Sequence, residues 1–499
     1  MRFAPTPLML GLLCALSATS ALASGYHFGS QSASAQGTAN ANAAEAADAS
    51  VLFYNPAGMT RLDGTHASGV LTVVMPKGKF EDQGSVTSFG LPIKGNNGGS
   101  FVDTTAVPHA YLTHKLANGI SAGLGVFVPF GSKSEYDSGW TGRYNSIGTE
   151  LKTIAFNPSL AFKPTEKLSL GAGLTAQFIH GKLSKGADFG SGALASVVAA
   201  QVAANAQPGV PLDVVRAAVI NQLGGLIKQV SGNPTYSGRV DVKGQDWGLG
   251  FNLGLMYEYD EGTRFGIAYR SSIKHKLDGS AKWTVQTPAA NLAALLNAAL
   301  PGAGTQVQQS LLAAYTDSDV NLNLRTPESL SFSFYKEHDK FAVMGDVTLT
   351  RHSRFKELRI DFSNKLPDSN TPENWDDTIR ASLGLNYKYS DRLTLRGGVA
   401  YDQSPVYNRS RTPSLPDNDR SWISGGLNWK LDAKRSIDLA LSYVHVAAGQ
   451  IDSFDNGGQV NASGSAVCNT AANTSSCATV RGRYSLHSTL LGLQYNQQF

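Results

Sequence analysis

Charge is scarce in this chain. Only 16% of its 499 residues are Asp, Glu, Lys or Arg, and the net charge of +4 is spread along the sequence without a dense basic run. Neither a nucleic-acid surface nor a polybasic membrane patch is built that way. Beyond the N-terminal stretch no run of about 18 apolar residues occurs, which excludes a helical membrane protein. There is no Gly-x-Ser-x-Gly elbow and no His-Glu-x-x-His, and the 10 His residues are scattered. No catalytic or metal-binding constellation is therefore visible, and no cofactor is implied. Cysteine is nearly absent, with three in all. Cys14 follows Leu13, where lipoprotein processing wants a small residue, and the apolar stretch continues past it. Cys468 and Cys477 lie inside the polar stretch Asn461 to Thr479. In an oxidising compartment they are expected to form a disulfide that closes a surface loop, the alternative being two free thiols. A zinc site is disfavoured, because no second Cys or His pair lies nearby at ligand spacing.

What is present begins with Met1-Arg2-Phe3, an apolar stretch from about Pro7 to Leu22 and the small-residue end Ala21-Leu22-Ala23. This fits a cleavable export signal over residues 1–23, so the mature chain is expected to start near Ser24. Export leaves the periplasm, the outer membrane or the medium. The chain is also rich in Gly (52), Phe (21) and Tyr (18), the balance of a β-barrel with aromatic girdles.

Gly25 to Ala47 is dominated by Ala, Ser, Gly and Asn and closes on Asp48-Ala49-Ser50-Val51-Leu52-Phe53-Tyr54-Asn55-Pro56-Ala57-Gly58-Met59. It has too few branched or aromatic side chains to pair as a strand and too little apolar surface to fold alone. Residues 24–64 thus look like a plug, or hatch, that needs a container.

Residues 65–499 supply one. Leu491, Leu493, Tyr495 and Phe499 share one face of the last segment while Ser488, Gly492, Gln494, Asn496 and Gln498 share the other. The same period of two puts Ile379, Leu383, Leu385, Tyr387 and Tyr389 opposite Arg380, Ser382, Asn386 and Lys388. A soluble sandwich also alternates. Here, however, short turns such as Pro164-Thr165-Glu166 and Asp260-Glu261-Gly262 alternate with much longer connections such as Glu81 to Thr105 and Asn364 to Asn374. That asymmetry marks an outer-membrane barrel. The chain ends on Phe499 at the close of an amphipathic strand, which resembles the signal read by outer-membrane assembly machinery. About fourteen strands are predicted, an even number as in bacterial single-chain barrels. They include unbroken segments at 120–130, 263–280, 319–335, 340–362 and 375–389. The fold class is an all-β, fourteen-stranded antiparallel transmembrane barrel with the hatch in its lumen.

Two long loops, about 183–236 and 281–318, break the alternation. Val215, Val219, Leu223, Leu226 and Ile227 recur at helical spacing in the first, and Leu292, Leu295, Leu296 and Leu300 in the second. They read as amphipathic helices packing on each other, as an apolar cleft at the cell exterior, or as both.

The motifs in this order resemble the FadL/TodX family of outer-membrane transporters for long-chain fatty acids and other hydrophobic compounds. The most specific is Asn55-Pro56-Ala57, similar to the family's hatch motif. Pro129-Phe130-Gly131 with Tyr136 and Trp140-Thr141-Gly142-Arg143, Asn157-Pro158-Ser159, Tyr269-Arg270-Ser271, and Tyr401-Asp402-Gln403-Ser404-Pro405-Val406 with Leu415-Pro416-Asp417 follow it. The resemblance implies a monomer in contact with outer-membrane lipids, capture of a hydrophobic small molecule in an external groove, and a lumenal pocket. Release is implied to be lateral, at a kink in strand three after the hatch rearranges. Gly123, Gly125 and Pro129 are the candidates for that kink, since Gly and Pro weaken ladders or mark bulges; the glycines could equally relieve crowding in the wall. For a carboxylate head the family's basic positions fall on Lys185, or Lys182, and Arg359, the alternative being solvated charges at strand ends. Aromatic hydrocarbons are the second ligand class. A general porin and an outer-membrane lipid hydrolase are rivals, the first countered by the hatch and the second by the missing catalytic motifs.

Overall fold

In a computed structural model the chain is described over residues 25–117, 119–408, 410–468 and 474–499; the expected export signal, residues 1–23, and the start at Ser24 lie outside the described residues. Fourteen strands close into one antiparallel barrel. They are β1 (Thr65–Asp82), β2 (Thr105–Lys115), β3 (Ser121–Phe127 and Gly131–Glu135), β4 (Gly148–Thr165), β5 (Leu168–Ala187), β6 (Gly238–Glu258) and β7 (Thr263–Arg270 and Ile273–Thr284). The circuit continues through β8 (Ser318–Thr326 and Ser329–His338), β9 (Phe341–Thr350 and Glu357–Phe362), β10 (Ser369–Pro372 and Thr378–Lys388) and β11 (Leu393–Asp402). It ends with β12 (Arg420–Lys430), β13 (Arg435–Phe454) and β14 (Thr479–Gln498), which returns to β1 with Leu71 opposite Leu493 and Val73 opposite Leu491.

Alternation decides which face is wet. Leu174, 69% exposed, Leu249, 80% exposed, Leu383 and Ile423 point outward, while Thr175, Gln177, Ser382 and Ser424 are buried inside. Each such outward side chain gains about 1.5–3 kcal/mol on entering lipid. Exposed aromatic rings ring the short-turn end, among them Tyr257, Tyr259, Phe265, Phe341, Tyr389 and Trp429, as an interfacial girdle requires.

Five strands are interrupted, where the sequence pattern predicts unbroken segments. β7 breaks at Ser271 because Ser271 turns to β6: its N–H donates to the Phe251 carbonyl (2.9 Å) and its Oγ accepts from the Phe251 N–H (2.9 Å). β9 breaks over a single helical turn, His352–Arg354. The connection expected to be long, Asn364 to Asn374, is short instead, because Ser369–Pro372 pairs with Glu357–Ile360. The polar composition there is that of a hairpin standing in water. Thr378–Lys388 alone has the length of a tilted spanning strand, so this hairpin and the link Glu373–Asp377 stand beyond the bilayer on the long-loop side.

On that side, α3 (Phe189–Ala204), α4 (Leu212–Gln222) and α5 (Gly224–Val230) form one loop, and α6 (Gln286–Ala299) and α7 (Ala303–Ala314) another. They pack together through Phe189, Leu194, Val219, Ile227, Leu292 and Leu296. The hatch fills the lumen with α1 (Ala33–Gln36), α2 (Val51–Tyr54) and a tighter turn, Pro56–Arg61. Its small side chains let backbone lie directly on the wall, and nearly all of it is buried.

Candidate functional site

An apolar cavity lies at the outward end of the lumen, bounded by the wall, the link in β10 and the first residues of the hatch. Leu277, Val320, Leu322, Leu324 and Phe355 give it an apolar surface. Tyr26 closes it from the hatch side, its ring 5.2 Å from Trp375, 5.6 Å from Phe130 and 6.2 Å from Phe355. The lining suits a lipophilic small molecule. The next residue, His27, faces a second chamber of about 860 Å³ in which Arg270, Asp346, Arg380 and Asp402 make the lining polar. Two adjacent hatch residues thus separate an apolar space from one lined by charged side chains.

The same short segment closes a fault in the wall. β2 and β3 pair only through Ala110–Lys115 and Ser121–Val126, and the outer part of β3 pairs with β4 alone. Between them, at Val128, Pro129 and Phe130, the hatch substitutes for a strand. Phe28 N–H donates to the Pro129 carbonyl (2.9 Å) and Gly131 N–H to the Tyr26 carbonyl (2.8 Å), with His27 opposite Phe130. Gln31 Nε2 donates to the Val128 carbonyl (2.8 Å), and Phe28 stacks on His109 of β2 at 5.9 Å.

Asn55-Pro56-Ala57 forms the hatch's other anchor. Asn55 Nδ2 donates to the Leu255 carbonyl of β6 (3.0 Å), and its Oδ1 accepts from Ala57 N–H (3.1 Å). Pro56, whose φ is already helical and which has no N–H to satisfy, starts the tight turn. Three glycines make the seat: a Cβ on Gly171 would fall 2.5 Å from the Pro56 carbonyl carbon, one on Gly254 2.8 Å from Pro56 Cδ, and one on Gly266 2.9 Å from Asn55 Nδ2. A buried ion pair adds a latch. Arg396 holds Glu45 of the hatch at 3.0 Å and Asp438 of β13 at 3.2 Å.

The remaining sequence-predicted positions are dispersed. Gly123 and Gly125 lie in the paired part of β3, where a Cβ would fall 2.6 Å and 2.9 Å from Leu52 of the hatch, and the interruption itself contains Pro129. Lys182 borders the cavity from the wall. Lys185 donates to Asp455 (2.7 Å), and Arg359 to Asp361 (3.0 Å) and Asp368 (2.5 Å). Cys468 and Cys477 are joined by a disulfide with their Cα atoms 5.6 Å apart. Sequence reasoning missed Tyr26, Trp375 and Glu373. The Glu-x-Trp spacing in a polar connection was the available signal.

Comparison with known proteins agrees with this geometry. The family described as outer membrane protein transport protein (OMPP1/FadL/TodX) matches residues 14–499. The chain is 36% identical over 506 residues to a putative outer membrane protein of Neisseria meningitidis serogroup B, covering 99% of this chain and 98% of that one. It is 28% identical over 438 residues to the long-chain fatty acid transport protein of Escherichia coli O6:H1, covering 87% and 90%. Among solved structures, a FadL homologue of Pseudomonas aeruginosa shares the fold with a TM-score of 0.77 at 22% identity, over 95% of this chain and 100% of that one. The chain is an outer-membrane β-barrel and belongs to the OMPP1/FadL/TodX family.

Proposed function

We propose that the chain passively carries long-chain fatty acids or similar hydrophobic compounds across the outer membrane, with the cavity behind Tyr26 as its holding site. Aromatic hydrocarbons are the second ligand class. The ligand is taken up along the helical loops, where Val210, Leu212 and Val214 stand exposed. Each buried methylene contributes about 0.8 kcal/mol, so an apolar cavity extracts such a ligand from water without energy input. Release is the harder step. Passage straight down would take the ligand into the chamber beyond His27, where Arg270, Asp346, Arg380 and Asp402 make the lining less favourable to apolar surface than the cavity above. Sideways, the break at Val128–Phe130 opens toward lipid once Tyr26–Phe28 withdraws. The barrel acts as a monomer, and no catalytic step is involved.

The observation that carries this reading is the double role of Tyr26–Phe28 as cavity floor and wall patch. His27 and Phe130 form a pair that flanks its hydrogen bonds, the kind with close Cα atoms, so a disulfide fits there. Oxidising a His27→Cys/Phe130→Cys variant should abolish fatty-acid uptake by cells, and a reductant should restore it. Uptake that proceeds with the crosslink closed rejects the gate. Steady ester hydrolysis by the purified protein would reinstate the hydrolase, and a large steady current in a planar bilayer the porin.

A further inference from the structure

Among the described residues, the inward side of the cavity carries an acid and no base. Glu150, Lys182 and Lys243 also border it, but their neighbours Leu151, Leu183 and Val242 pack into the lumen. Strand alternation therefore turns the three charged side chains outward. Glu373 is different. It lies in the link of β10, is 3% exposed, lines the cavity, and accepts a hydrogen bond from the Trp375 indole N–H (3.0 Å). Among the described residues no Lys, Arg or His stands within salt-bridge distance of it. A carboxylate buried without a cation is costly, so burial pushes this carboxyl up to about 8, the hydrogen bond from Trp375 acting weakly the other way. At neutral pH it keeps its proton. One oxygen serves Trp375, and the group still has one O–H to donate.

We propose that Glu373 selects the head group of the ligand: it donates to an uncharged oxygen, so the cavity prefers a long-chain lipophile ending in a hydroxyl, ester or carbonyl over one ending in a carboxylate. This rests on the cavity being the holding site. A fatty acid meets Glu373 in one of two forms. As the anion it must bury a charge with no cation to receive it. As the undissociated acid it binds well but is rare at neutral pH, because a simple carboxyl ionises near about 4.3. Its apparent affinity therefore climbs as pH falls, while that of an alcohol stays flat below the Glu373 midpoint.

The test uses the full chain in detergent and the equilibrium binding of hexadecan-1-ol, hexadecanoate and hexadecane. At about pH 7 the alcohol should bind at least about tenfold more tightly than hexadecanoate. Glu373→Gln keeps a donor and should hold alcohol binding within about threefold while removing the further loss of hexadecanoate above about pH 8. Glu373→Lys supplies the missing cation and should reverse the preference, with hexadecane unchanged. Equal or tighter binding of hexadecanoate by the unaltered protein, or an unchanged alcohol-to-acid ratio in both variants, overturns the proposal. Leu322→Trp separates the two levels of failure. If it fills the cavity without weakening any of the three probes, the holding site itself is wrong. If it weakens all three while the Glu373 variants leave the ratio alone, only the head-group selection is wrong.

Discussion

Alanine at Gly171 is a severe test of how the hatch is seated. The added methyl would lie 2.5 Å from the Pro56 carbonyl carbon and 2.9 Å from Ala57 Cα, against an ordinary carbon contact of about 3.5–4.0 Å. Both atoms are backbone, so no rotamer change relieves the clash. The wall has little freedom to retreat, because β5 is laddered to β4 on one side and β6 on the other. The hatch corner must lift by roughly 1 Å. Overpacking of this kind costs about 1–3 kcal/mol, which raises the population of the unseated hatch by about 5- to 150-fold. The readout is maleimide labelling of Ala49→Cys, a fully buried hatch position, together with conductance in planar bilayers. Cys468 and Cys477 are paired and do not react. Gly171→Ala should speed labelling and add transient openings. Gly397→Ala is the control, since a Cβ there meets nothing within 4 Å. Unchanged labelling in a folded Gly171→Ala barrel, or an equal change in the control, refutes the seating.

Arg396→Leu leaves Glu45 and Asp438 buried without their cation, a loss of about 3–5 kcal/mol. Because Glu45 belongs to the hatch, labelling at Ala49→Cys should rise far more than the heat-modifiable gel migration of the barrel changes; a barrel that melts with the hatch still protected would contradict this. Replacing both Cys468 and Cys477 by Ser removes about 2–3 kcal/mol of loop constraint. Proteolysis within Asn461 to Thr479 should quicken while ligand binding to the cavity stays the same, and weakened binding would tie that loop to the site.

The barrel was legible because its signal is local: alternation along each strand and a short turn at every other end need no distant partner. What alternation cannot report is where a strand leaves its ladder. Ser271 and His352 look like any other strand residue, and only their tertiary neighbours explain the breaks. Asn364 to Asn374 misled for the opposite reason, since its polarity belongs to a hairpin above the bilayer and not to an open loop. The hatch was recognisable from what its small side chains could not do alone. Its seat was not, because Gly171, Gly254 and Gly266 stand in three different strands and become one surface only when the barrel curves. The cavity is harder still. Its lining comes from strands scattered between β3 and β10 and from the β11–β12 connection, and Glu373 sits in a link that composition marked as solvent-exposed.

The place of the hatch in the chain also governs how the barrel is made. Its first helix is held by the last strand: the Ala33 N–H donates to Gln494 Oε1 (2.9 Å) and Gln36 Nε2 to the Leu490 carbonyl (3.1 Å), partners more than 450 residues away. Contacts of such span form late in folding. Until β14 has joined β1 the first helix of the plug lacks its partners, so a half-built barrel holds its plug by the remaining anchors alone. Sealing is therefore a product of completed assembly, and any lesion that delays the joining of β14 to β1 should leave a leaky outer membrane before it leaves a ligand-binding defect.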